Sequence, residues 1–215
     1  VEKNNPKRFD YPMIVRLDPN DTTIKVYENN IVPKKGNIFL HISLPHINNF
    51  YLNPDQENTK INTGFWGGTI GVDYFYNKIK YINLSASTAS DFFIPVPGAI
   101  DLSGEFELMS STYLMLSNNH KLNRFAFGYG ISFGKNTWDL KYIDRWDPPP
   151  PTREPIKKSH YSFGLVCSSY YQLGKRFNLG IVYRPTFIRF KTEEIFKYEH
   201  LISIDFAWKI RLIDK

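Results

Sequence analysis

No stretch of this chain approaches the roughly 20 consecutive apolar residues that a membrane-crossing helix needs, although 42% of its 215 residues are hydrophobic. The apolar residues are dispersed, and mean hydropathy is negative, -0.37. A spanning helix is thereby excluded, whereas a membrane β-barrel is not, because a barrel puts only every second strand residue into lipid. Cysteine is almost missing: Cys167 alone permits no internal disulfide and no thiolate metal cluster, and reads as a small apolar residue. The opening segment VEKNNPKRFDYP lacks a charged n-region, an apolar h-region and a small-residue cleavage site. An extracytoplasmic reading therefore requires that a signal peptide has been removed. Histidines lack metal spacing: His41 and His46 fall on opposite faces of a strand, and His120 and His200 stand apart as solvated or lumen residues, so no metal and no cofactor is expected. The net charge of +6 invites a nucleic-acid reading, but Lys and Arg are scattered over turns and strand ends. No nucleic-acid partner is expected.

What the chain does have is aromatic residues, 16% of the total with 14 Tyr and 17 Phe, and a period of two, the mark of half-buried strands. In NIFLHISL, Ile38, Leu40, Ile42 and Leu44 alternate with Asn37, Phe39, His41 and Ser43. In FWGGTIGVDYFY, Trp66, Ile70, Val72, Tyr74 and Tyr76 share one face, with Gly67, Thr69, Gly71 and Asp73 on the other. The same alternation recurs in KYINLSAS, GEFELMSSTYLML, RFAFGYGISF, HYSFGLVCSSYYQL, FNLGIVYRPTF and LISIDFAWKIRL. Eight strands follow.

Links between them alternate short and long, with tight turns near 76–78, 118–121 and 174–175 and long links at 48–63, 88–102, 134–158 and 188–196. Outer-membrane barrels join strands by short periplasmic turns and longer outer loops, and eight strands place both chain ends on the short-turn side. TWDLKYI, residues 137–143, also alternates; a separate strand would break that parity, so it is read as the fifth strand extending beyond the membrane, ahead of the proline-rich DPPPPTREP. The expected organisation is a polar N-terminal extension, residues 1–35, on the periplasmic side, and one barrel domain, residues 36–215. The fold class is all-β: an eight-stranded antiparallel up-and-down transmembrane β-barrel.

Alternation alone does not separate a membrane barrel from a soluble one, but side-chain size does. The polar face is rich in Gly, Ser and Ala, suited to a crowded interior, while the apolar face carries Phe, Tyr, Trp, Leu and Ile. The interior of a barrel of about eight strands is only just wide enough to be filled by side chains, so that bulk belongs outside, against lipid. Asp73, Glu105, Glu107, Arg124, Arg184, Asp205, Lys209 and Arg211 then point inward as a charge network, and must pair because isolated buried charge is costly.

With Gly-aromatic repeats such as GYGISFG and LGIVYRP and a closing strand alternating through Ile202 to Leu212, the chain resembles the OmpX/OmpA-type outer-membrane β-barrel superfamily over residues 36–212, particularly the outer membrane β-barrel proteins of Bacteroides-like bacteria. The resemblance implies a bacterial outer-membrane location, with membrane lipid or lipopolysaccharide and a surface partner of the loops as partners. It also implies a structural or surface-interaction role over a filled lumen, without enzymatic activity.

Two alternatives stay open. His160 and Ser162, two apart on one strand face, are similar to the His-x-Ser of the lipid A 3-O-deacylase family, which implies a lipid A-modifying hydrolase with Ser162 as nucleophile and His160 as base. Against this, Phe163 stands where that family has Asn, no acidic residue follows at the expected distance, and the pair points into the lumen, where a hydrogen-bonding role is the simpler reading. Gly64 to Trp66 resembles the lipocalin GxW motif and implies a soluble ligand-binding barrel, but no C-terminal helix pattern follows. The long link carrying Phe92, Phe93, Ile94 and Val96 is unusually apolar, and exposed apolar patches mark interaction sites; it is the expected surface contact, or else a loop packed over the barrel mouth.

Overall fold

The computed structural model describes residues 33–92, 105–142 and 154–213. Period-two sequence becomes strand throughout: β1 (Ile38–Leu52), β2 (Lys60–Gly64), β3 (Trp66–Asn77), β4 (Lys80–Ser90), β5 (Glu105–Leu122), β6 (Phe125–Tyr142), β7 (Ile156–Gln172), β8 (Phe177–Phe190) and β9 (Phe196–Ile213). Every pairing in the sheet is antiparallel, β3 to β9 follow one another in chain order, and β1 pairs with β9 from Ile38↔Ile213 to Tyr51↔His200, closing the ring. β2 and β3 lie end to end beside β1, pairing with its upper and lower halves respectively. They form one wall strand interrupted at Phe65, so the nine segments make an eight-position ring. Closure removes the edges of the ring, the condition for spanning hydrocarbon with strands, while β2, at the loop end, pairs with β1 alone.

The turn ends are tight. Asn77 pairs with Lys80, and Leu122 with Phe125, leaving Asn123 at φ 54, a left-handed position that asparagine tolerates. The opposite, loop end carries the connections after β1, β4, β6 and β8. Two of them are shorter than the expected links 48–63 and 188–196: β1 continues to Leu52 and β2 begins at Lys60, while β8 continues to Phe190. Strand pairing continues above the apolar stretch, where alternation no longer signals it. Residues 137–142 extend β6, and the β5–β6 ladder runs without a register shift from Glu105↔Tyr142 to Leu122↔Phe125.

Both described ends of the chain lie at the turn end, where Gly36 N donates to Phe75 O at 2.7 Å and Asn37 Nδ2 to Ile213 O at 3.3 Å. The expected extension, residues 1–35, lies almost wholly outside the described residues. Within it, Pro33 is buried at that same end.

Candidate functional site

The two faces of the wall are sharply different surfaces. Outside, large apolar side chains stand open: Ile70 is 59% exposed, Leu84 53%, Leu114 56%, Tyr129 57% and Ile181 54%. A soluble monomer rarely exposes a contiguous apolar surface beyond a few hundred Å², so a belt around the whole barrel requires hydrocarbon. Aromatic rings bound it. Near the turn end, Phe177 stacks on Phe206 and Trp208 at 5.3 and 6.1 Å, and near the loop end Tyr51, Tyr183, Tyr198 and His200 form a cluster in which Tyr51 and His200 stack at 5.0 Å. These are the interfacial girdles of a membrane barrel. His200 thus faces outward among aromatics, neither solvated nor in the lumen, and Cys167 is exposed on the same outer face.

Inside, buried polar and charged groups form a column. Read along β9 from the turn end, Lys209 Nζ meets Asp73 Oδ2 at 2.6 Å and the Tyr81 hydroxyl at 3.2 Å, while Asn83 Nδ2 donates to Asp73 Oδ1 at 2.7 Å. Next, Asp205 Oδ2 accepts from Ser43 and Tyr170, both at 3.0 Å. Arg184, fully buried, then crosses the barrel, donating to Ser203 Oγ at 2.7 Å, Ser87 Oγ at 3.4 Å and Met115 Sδ at 3.2 Å, with its guanidinium 5.7 Å from the Tyr113 ring. Above it, Glu199 accepts from Asn53 N at 2.8 Å and Asn136 Nδ2 at 2.7 Å and meets His160 Nε2 at 2.7 Å. At the loop-end mouth, Arg189 pairs with Asp55 at 2.5 Å, and Glu107 with Lys60 at 2.7 Å beneath the Trp138 indole. Charge alternates along the axis, which is how buried ions are tolerated.

Of the eight charged residues expected inside, Asp73 and Lys209 meet directly, Asp205 and Arg184 hold the middle of the column, and Glu107 sits at the mouth. Arg211 lies 5.4 Å from the Phe39 ring and Arg124 lines the turn-end opening. The side chain of Glu105 lies outside the described residues. Sequence reasoning missed Glu199, which shares the phase of Ser203 and Asp205 but was hidden by apolar Leu201 between them. It also missed Arg189, which a register shift between Thr186 and Ile188 turns inward. Bulk is not confined to the outside either: Tyr81, Tyr113, Tyr170, Trp138, Phe50 and Phe75 are buried within. The lumen glycines make room for them, since a Cβ on Gly134 or Gly180 would run into the ring of Tyr113 or Tyr170.

His160 and Ser162 both face the lumen and are buried. His160 Nε2 is engaged by Glu199, and the Ser162 hydroxyl, fully buried, hydrogen-bonds to no described group; the two are not bonded to each other. Among the described residues no group of three or more His, Cys, Asp or Glu could hold a metal ion. Among the described residues the lumen holds cavities of about 30 and 40 Å³, both touching Tyr81 and Lys209. Each has room for a few waters. Of the apolar link, Phe92 is half-buried, its carbonyl accepting from Phe65 N at 3.1 Å; Phe93, Ile94 and Val96 lie outside the described residues.

No protein-family model matches the chain, and no curated protein matches its sequence. Among solved structures it is similar to Ail, the attachment invasion locus protein of Yersinia pestis, with TM-score 0.53 and 10% identity over 82% of this chain and 99% of that one. Ail in complex with the heparin analogue sucrose octasulfate gives TM-score 0.50 and 9% identity, with the same coverage. The fold is that of the outer-membrane β-barrels. Neisserial surface protein A also aligns, at 8% identity over 81% of this chain and 97% of its own, with TM-score 0.47.

Proposed function

We propose that this barrel resides in a bacterial outer membrane as a closed structural and surface-contact protein, akin to the OmpX/OmpA-type barrels of Bacteroides-like bacteria. The observation that carries this reading is the side-chain column from Lys209 to Glu199, in which Arg184 alone reaches three other strands across the lumen. Its cavities of about 30 and 40 Å³ are of a size for a few waters. The work of the protein then falls to its outer face and its loop end, where the link carrying Phe92, Phe93, Ile94 and Val96 offers an apolar contact to a surface partner. Residues 1–35 form a periplasmic-side extension in this reading, supported by the position of Pro33 and Gly36 at the turn end.

Reconstitution into planar bilayers and sugar-loaded vesicles tests the closed barrel. The expected result is heat-modifiable gel mobility and membrane insertion without conductance steps or solute efflux; stable steps of porin size would refute it.

A further inference from the structure

The apolar belt ends at one level on three adjacent strands. Lys135 pairs with Tyr161 across β6 and β7, and Tyr161 with Phe190 across β7 and β8. Below this row the outer face is apolar, with Phe133, Ile131 and Leu165 exposed, and Phe133 stacks on Tyr161 at 5.8 Å. The outward side chain of β6 in this row and the residue that follows β8 just above it are both lysines. Lys135 Nζ lies 6.0 Å from the Tyr161 ring centroid and Lys191 Nζ 5.9 Å, so two ammonium groups from different strands converge on one ring. Lys191 reaches it from a left-handed backbone, φ 64, a conformation that costs a lysine free energy.

Five other cations at this mouth are neutralised within the protein, whereas Lys141, six residues further along β6, has no ion-pair partner among the described residues. Lys60 pairs with Glu107, Lys157 with Asp139, Lys158 with Glu57, Arg189 with Asp55 and Lys197 with Glu194. Among the described residues, Lys135 and Lys191 have no carboxylate within ion-pair distance. Two ammonium groups beside one ring place positive charge at this level with no carboxylate to balance it, and the boundary between hydrocarbon and headgroups is where a lipid phosphate lies.

Resting on the membrane reading above, we infer that Lys135, Tyr161 and Lys191 form a binding site for the phosphorylated headgroup of an outer-leaflet lipid. The two ammonium groups pair with phosphate oxygens, the Tyr161 hydroxyl supplies a further donor, and Phe133 and Phe190 support the first acyl carbons. Lysines near an anionic lipid surface each add about a fivefold preference, so the pair confers a preference on the order of tenfold or more.

The test uses the full chain in phosphatidylcholine nanodiscs doped with diphosphoryl lipid A or its dephosphorylated form, with retained lipid measured by native mass spectrometry. The wild type should retain the phosphorylated lipid on the order of tenfold better, and the Lys135→Gln/Lys191→Gln variant should lose that preference. Lys157→Gln, which removes a paired lysine nearby, should keep it. Equal retention by the double variant, or an equal loss in Lys157→Gln, overturns the site. Displacement of the lipid by millimolar inorganic phosphate also overturns it, since the pair would then be a free-phosphate site. Failure of the wild type to enter nanodiscs overturns the membrane reading and this site with it, whereas insertion with equal retention overturns the site alone.

Discussion

The wall made by β5, β6 and β7 and the wall made by β8, β9 and β1 use the same chemistry but differ in regularity. In the first, both ladders run their whole length without a register shift. In the second, shifts occur between Thr186 and Ile188 and at two places along β1 and β9, and a further one separates Phe163 from Gly164 where the walls meet. One shift spans Ser43 to His46, across Pro45, which lacks the N–H for a regular ladder. Below it His41 and Ser43 face the lumen; above it Asn48, Phe50 and Leu52 do. A bulge slips the phase by one residue and exchanges the faces. The regular wall therefore obeys a simple alternation from end to end, while the irregular wall obeys it only between bulges.

The largest effect should come from the irregular wall. Asp73→Ala strands Lys209 in the lumen without its carboxylate, and losing one partner of a buried ion pair costs about 3–5 kcal/mol. Urea unfolding in lipid vesicles should show that loss, and Asp73→Leu/Lys209→Met should recover most of it. A double variant as unstable as the single would break the argument that charge pairing ties this wall to β3 across the lumen. In the regular wall, Ile131→Arg puts a cation on the lipid face near mid-span and should cost about 2–4 kcal/mol, while Thr137→Arg, above the belt on the same strand, should cost little. Equal costs would mean that β6 does not cross hydrocarbon.

Glycine substitutions compare the walls directly. Gly134→Val meets the Tyr113 ring and Gly180→Val meets the Tyr170 ring, each an overpacking worth about 1–3 kcal/mol. Gly180→Val should be relieved by Tyr170→Ala and unaffected by Tyr113→Ala, a pairing that a double-mutant cycle reads out. The smallest effect is electrostatic. Asp91 lies just past β4, above the belt, where burial raises its pKa despite a 2.8 Å bond from Asn62 Nδ2. A carboxyl raised in the folded state contributes stability fully below its unfolded pKa and loses it as pH rises through the folded value. Relative to Asp91→Asn, the wild type should therefore lose stability slightly between acid and neutral pH. A difference of the opposite sign would mean that the Asn62 and backbone bonds outweigh burial.

This contrast also explains what was legible. Strand existence, the eight-position ring and the inward face of Asp73, Arg184, Asp205 and Lys209 follow from period two, because lipid outside and a narrow lumen inside demand opposite residue types. Glu199 was readable in principle, two residues beyond where the alternation of LISIDFAWKIRL becomes visible. Arg189 was not. Its sequence phase points outward, and only the shift between Thr186 and Ile188 brings it in to meet Asp55, which lies 134 positions away. The partner of His160 was equally hidden, since Glu199 reaches it from another strand, with Asn136 donating to the same carboxylate oxygen.

What the sequence determines alone is therefore local and periodic: the scarcity of long apolar runs and the alternation of Phe, Tyr, Ile and Leu with Gly, Ser and charge dictate strands with one face for lipid. Which tyrosine lies over which glycine, which carboxylate meets which cation, and where two lysines converge on Tyr161 were decided by ring closure and bulges. These depend on the register between strands distant in the chain, and register is a property of the assembled wall.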